Sequence, residues 1–153
     1  MQPSRLVIGQ HLLRRILEQC MEERPYEACG ILTGKNGQVL HAYATDNAKR
    51  SPVFYEVDAV QQERALRSMA EHGDELIAIY HSHPTAPAVP SINDIRLAVH
   101  YPEAIRVIVS LAGPADVRAF LIQDGRVHPV SLESPHDTAG EWLDLRAAGE
   151  QPN

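Results

Sequence analysis

The sequence predicts an α/β fold: a single domain built on one mixed β-sheet flanked by helices. Three observations carry this. A chain of 153 residues fits one domain, and at that size folding buries about two-thirds of the surface, enough for an ordinary core. Hydrophobic residues make up 44% and charged residues 22%, the balance of a globular and not a disordered chain. Short apolar or alternating runs are interleaved with runs of helical period, in a mixed order.

Taken in order, Leu6-Val7-Ile8 reads as a short strand. From Gly9 to about Glu23, Leu12, Leu13, Ile16, Leu17, Cys20 and Met21 recur at helical spacing opposite Arg14, Arg15, Glu18 and Glu22, and Pro25 closes the helix. Residues 28–35 and 38–44 read as strands joined by the hairpin turn Asn36-Gly37. Residues 45–57 form a polar loop with Pro52, whose Phe54 and Tyr55 read as anchors to the core. Asp58 caps a helix reaching about His72, with Gln61 three residues on and Gly73 as its stop. The apolar run Leu76-Ile77-Ala78-Ile79-Tyr80 is a buried strand ending in His81-Ser82-His83-Pro84. Pro84, Pro87 and Pro90 stiffen the next loop, a helix follows over 92–100, and 105–112 is another buried strand. Residues 117–123 and 126–132 make a second hairpin around Asp124-Gly125. The pattern weakens beyond Glu133, which divides the chain into a domain at 1–132 and a C-terminal tail at 133–153, with a short helix expected at 141–145.

Composition excludes several roles. A net charge of −6 argues against nucleic acid as a partner. No run has transmembrane length and no signal-peptide pattern is present, so neither membrane insertion nor export is expected and the chain reads as cytoplasmic. Cys20 and Cys29 form neither a disulfide framework nor a CxxC pair and read as packing thiols. His11, His41, His100, His128 and His136 lack ligand spacing and read as surface or core residues.

The chemistry is concentrated in one stretch. His81 and His83 share a strand face, in line with Ile77 and Ile79, and two imidazoles so placed can converge on one metal ion. Asp94, at the start of the next helix, offers a carboxylate as third ligand. Three N/O ligands leave a fourth position open, as in catalytic zinc sites. Ser91-x-x-Asp94 reads equally as a helix start, with Ser91 capping. Ser82 points to the opposite face and receives no catalytic role. No Ser-His-Asp arrangement, HExxH helix or PCxxC motif can be traced.

The order His-x-His, seven residues, Ser-x-x-Asp, with Glu27 upstream in Pro25-Tyr26-Glu27-Ala28-Cys29-Gly30, resembles the JAMM/MPN-plus zinc metalloprotease family. Glu27 through Gly34, the Asn47 region and Ser51-Pro52 through Phe54 extend the likeness to its bacterial single-domain branch, over residues 5–132. The resemblance implies a cytidine-deaminase-like sandwich and a zinc ion on His81, His83 and Asp94. It further implies Glu27 as general base, Ser91 as hydrogen-bond donor to an oxyanion, and amide hydrolysis by an activated water. In this branch the loop at 45–57 corresponds to an insert flanking the substrate groove. The implied substrate is a small ubiquitin-like sulfur-carrier protein, cut after its C-terminal Gly-Gly. Two alternatives stand beside it: a catalytically silent protein-binding scaffold, and a zinc hydrolase of another peptide.

Overall fold

Both hairpins turn on pairs of residues in the left-handed region. Asn36 and Gly37 have φ of 53° and 76°, and Asp124 and Gly125 have 52° and 74°, the conformation that tight two-residue turns demand. In the computed structural model, which describes residues 5–136 and 140–147, these turns join β2 (Cys29–Lys35) to β3 (Gln38–Thr45) and β6 (Asp116–Gln123) to β7 (Arg126–Glu133).

The apolar run ending in the histidines is β4 (Glu75–His83), antiparallel to β2 on one side and parallel to β5 (Ile105–Ser110) on the other. A parallel pair needs a crossover, and here it contains the proline-rich loop and α3 (Ile92–Leu97). That crossover returns Ser91 and Asp94 to the end of β4. With β1 (Arg5–Val7) and β8 (Glu141–Asp144), the mixed sheet runs β1-β7-β6-β5-β4-β2-β3-β8. β1 pairs with β7 and also meets β3 at Val7 and Gln38, so the sheet curls and its first strand reaches the far side.

Both faces are covered. On one, α1 (Gln10–Glu23) presses Leu12, Ile16 and Cys20 onto Leu32, Ala78, Tyr80, Val107 and Val109. On the other, α2 (Ala59–His72) packs Ala65 against Ile31 and Tyr43, and the α3 region packs Ile95 and Ala98 against Ile108, Phe120 and Ile122. Asp58 caps α2 by accepting from the Gln61 N–H at 3.0 Å, and Gly73 ends it at φ 68°, as the sequence predicts. No helix among the described residues is long and apolar enough to cross a membrane.

Three expectations are corrected. Residues 141–144 form a strand parallel to β3, not a short helix. The backbone of β3 offers an open edge, and Trp142 and Leu143 pack into clusters on opposite sides of the sheet, which is strand alternation and not helical period. α3 ends at Leu97 and not at His100. Arg106, nearly buried, draws the carbonyls of His100, Tyr101 and Ala104 onto its guanidinium, and Tyr101 turns to φ 60°. Finally, Ile77 does not share the face of His81. The pairing with β2 shifts register at Leu32/Thr33, opposite Ala78 and Leu76, and this bulge sends Ile77 into the α1-side core while Ile79 stays with Tyr55.

Candidate functional site

His81 and His83 close β4 with both side chains buried. Ser82, between them, faces the other way and accepts the Ala28 N–H at 2.8 Å, which locks the end of β4 to the start of β2. Asp94 sits in the first turn of α3. Ser91 Oγ accepts the Asp94 N–H at 3.0 Å, and Asp94 Oδ2 accepts the Ser91 N–H at 2.9 Å. The helix-start reading of Ser91-x-x-Asp94 holds, and it is compatible with a ligand role for Asp94, because the capping box aims the carboxylate at the histidines.

The three side chains converge. His81 Nε2 lies 3.1 Å from Asp94 Oδ1, His83 Nε2 lies 3.0 Å from Asp94 Oδ2, and the two Nε2 atoms are 3.2 Å apart. His83 Nδ1 donates to the Pro87 carbonyl at 2.8 Å, a bond that leaves its Nε2 lone pair facing the cluster. Glu27 enters from the residues just before β2. Its N–H donates to the Ser51 carbonyl at 2.9 Å and its own carbonyl accepts from Asn47 Nδ2 at 3.0 Å. The Glu27 side chain is buried, and Oε1 has no protein partner among the described residues.

The electrostatics follow from burial and this convergence. Burial pushes the Glu27 carboxyl up to about 8; the His83 charge opposes that rise and the Asp94 charge adds to it. Burial lowers His81. At His83 burial pulls down, but the bonds to Asp94 and Pro87 outweigh it and the net is upward. Burial also acts to raise Asp94, yet hydrogen bonds from both histidines hold it far below the usual carboxylate range.

This donor set fits a divalent cation. His81, His83 and Asp94 present ligand atoms within 4.8 Å of one another. Two neutral imidazoles and one carboxylate in a buried cluster carry a net negative charge, and lone pairs this close repel unless a cation or proton lies between them. Nitrogen with a single carboxylate is a set suited to zinc. The other chemistry-bearing residues lie apart. His41 is a core histidine, its Nδ1 2.6 Å from Asp74 Oδ2. Cys20 and Cys29 are free and buried; burial lifts Cys20 to about 12 and Cys29 higher still, which leaves both as unreactive thiols.

Three residues to which the sequence assigns no catalytic or ligand role support the site. Ser82, which faces away from the histidines, ties the histidine strand to the residues that carry Glu27. Asn47 donates to the carbonyls of Glu27 and Phe54 and accepts from the N–H groups of Lys49 and Glu56, so one amide organises the whole loop at 46–57. Arg106 is a lone charge inside an apolar run, the signal in the sequence that could mark it.

The family described as prokaryotic homologs of the JAB domain matches residues 9–123. A CysO-cysteine peptidase of Mycobacterium tuberculosis is 37% identical over 134 residues, spanning 83% of this chain and 90% of that protein. A desampylase of Pyrococcus furiosus is 33% identical over 121 residues, spanning 79% and 84%. The solution structure of a protein from Desulfitobacterium hafniense superposes with a TM-score of 0.75 at 26% identity, covering 97% of this chain and 99% of that one.

Proposed function

The chain belongs to the family of prokaryotic JAB-domain homologs, and on that premise we propose that it is a zinc-dependent peptidase. It hydrolyses the amide bond after the C-terminal Gly-Gly of a small ubiquitin-like or sulfur-carrier protein. The observation that carries this reading is the convergence of His81, His83 and Asp94 beside the buried carboxyl of Glu27, whose Oε1 meets no protein group among the described residues. Names of similar proteins supply the substrate class, since one is a CysO-cysteine peptidase and another a desampylase.

His81 and His83 through Nε2, and Asp94 through its carboxylate, would hold the ion. When bound, it supplies Lewis acidity, which acidifies a water and polarises the scissile carbonyl. The remaining work falls to the chain. Glu27 as carboxylate takes the proton of the attacking water and returns it to the leaving amine. Its burial raises its basicity, and its backbone bonds to Ser51 and Asn47 fix where it acts. Ser91 uses an Oγ lone pair for the Asp94 N–H, so its own proton is free to meet the oxyanion.

The test is zinc content by elemental analysis, paired with mass spectrometry of a carrier protein ending in Gly-Gly-cysteine. One zinc per chain, with cleavage by wild type and none by Glu27→Gln, is expected. A chain that takes up no zinc and cleaves nothing after metal is restored would point to the binding-scaffold alternative.

A further inference from the structure

The two histidines of the cluster are held by different means. His83 has a hydrogen bond at its rear, from Nδ1 to the Pro87 carbonyl. His81 has none: its Nδ1 is buried and no protein group meets it among the described residues. Yet His81 is the more deeply enclosed of the pair, at 0% exposure. With Nδ1 free, the only polar ties on the ring are those its Nε2 makes within the cluster, nothing polar holds it from behind, and rotation about χ2 would carry Nε2 away from Asp94.

What lies against His81 instead is Tyr55. The two rings stack with centroids 4.4 Å apart and planes at 17°, an offset aromatic contact that fixes a ring plane without a hydrogen bond. Tyr55 is itself fixed from both sides. Asn47 donates to the Phe54 carbonyl at 2.8 Å and accepts the Glu56 N–H at 3.0 Å, so it holds the residues immediately before and after Tyr55. The same amide holds the Glu27 carbonyl. Arg106 lies beside the Tyr55 side chain from β5.

We propose that Tyr55 is the positioning residue of His81. Its flat face takes the place of the missing Nδ1 partner and keeps Nε2 aimed at Asp94 Oδ1. Through Asn47, the loop that carries it also sets Glu27, so base and ligand are registered to one another by one polar side chain. The consequence for metal rests on the zinc reading above; the effect on the ring does not.

The experiment compares wild type, Tyr55→Phe and Tyr55→Leu. Imidazole resonances of His81 are recorded by NMR in metal-free, histidine-labelled protein, and zinc affinity is measured by chelator competition. Wild type and Tyr55→Phe should show one set of ring signals shifted upfield by the stacked ring. Tyr55→Leu should show broadened or multiple His81 signals and bind zinc about 10-fold or more weakly, the range for loss of a group that orients a ligand. Tyr55→Phe should stay within about two-fold of wild type, because the ring and not the hydroxyl makes the contact. A folded Tyr55→Leu with a single sharp His81 set would overturn the proposal, as would Tyr55→Phe failing as badly. If Tyr55→Leu does not fold, Tyr55→Met, which fills the volume without a flat face, is judged by the same outcomes. Wild type that binds no zinc would remove the zinc reading, while the ring signals would still decide the role of Tyr55.

Discussion

Glu27 shows what one buried carboxyl costs the chain that keeps it. In the metal-free protein its pKa is raised from 4.5 to about 8, so between these values the native chain holds a proton that the unfolded chain releases. Stability must then fall as pH rises through that window. Glu27→Gln keeps the shape and removes the charge. The metal-free variant should be more stable than wild type at pH 8, by about 2–4 kcal/mol, with the gap closing as pH drops towards 4.5. Denaturant titrations of the two proteins across this range would check it, and parallel curves would mean that Glu27 is solvated. The same substitution should abolish hydrolysis, so stability and activity would move in opposite directions, as expected where a site is strained for its task.

At the level of the element, α3 combines two jobs in one turn, and they can be separated. Ser91→Ala loses the cap on the Asp94 N–H, worth about 1 kcal/mol of stability. It also loses the hydroxyl proposed to meet the oxyanion, whose removal costs about 2.7–4 kcal/mol in the transition state, a hundred- to thousand-fold in kcat. Ser91→Gly is the sharper probe, because glycine at a cap costs only a few tenths of a kcal/mol. It should melt close to wild type and still lose activity as Ser91→Ala does; full activity in Ser91→Gly would reduce Ser91 to a cap. These local devices explain what could be read from the chain. Asn36-Gly37, Asp124-Gly125, Asp58 with Gly73, and the Ser91 box all write their structure within a few residues, and they place both hairpins, α2 and the start of α3 correctly. The order His-x-His, seven residues, Ser-x-x-Asp likewise names the three side chains that converge, His81, His83 and Asp94. What escaped depends on distant partners: the bulge at Ile77 arises from pairing with β2, the early end of α3 from Arg106, and the stack of Tyr55 on His81 from a loop wired by Asn47. No periodicity in the local sequence encodes such contacts.

At the scale of the whole molecule, the least legible feature is the C-terminal strand, which meets β3 about one hundred residues away along the chain. Trp142 packs into the core beneath α1, and Leu145, 9% exposed, joins Ile31, Tyr43 and Ala65 on the other face. Arg146 clamps the segment, with Asp144 at 2.8 Å and Glu22 and Glu23 of α1 at 3.2 and 3.3 Å. The Ala147 N–H then donates to Asp46 Oδ2 at 2.9 Å, one residue from the Asn47 that holds Glu27. The strand thus seals an open sheet edge and reaches the loop at 46–57 that Asn47 organises. Removing residues 134–153, close to the boundary expected at 132, should forfeit the burial of Leu145 and part of that of Trp142 and Leu143, about 4 kcal/mol in all. For a domain of this size that is about 8–16 °C in Tm, and the bared edge of β3 should make the truncated chain prone to associate. Calorimetry with light scattering would measure both. Arg146→Ala, which keeps the strand and removes only its clamp, should fall between wild type and truncation, since partly exposed ion pairs contribute about 1 kcal/mol or less each. If the truncated chain melts with wild type and stays monomeric, residues 1–132 are the self-sufficient domain and β8 is an accessory; if it melts early, the domain extends through β8 to Arg146.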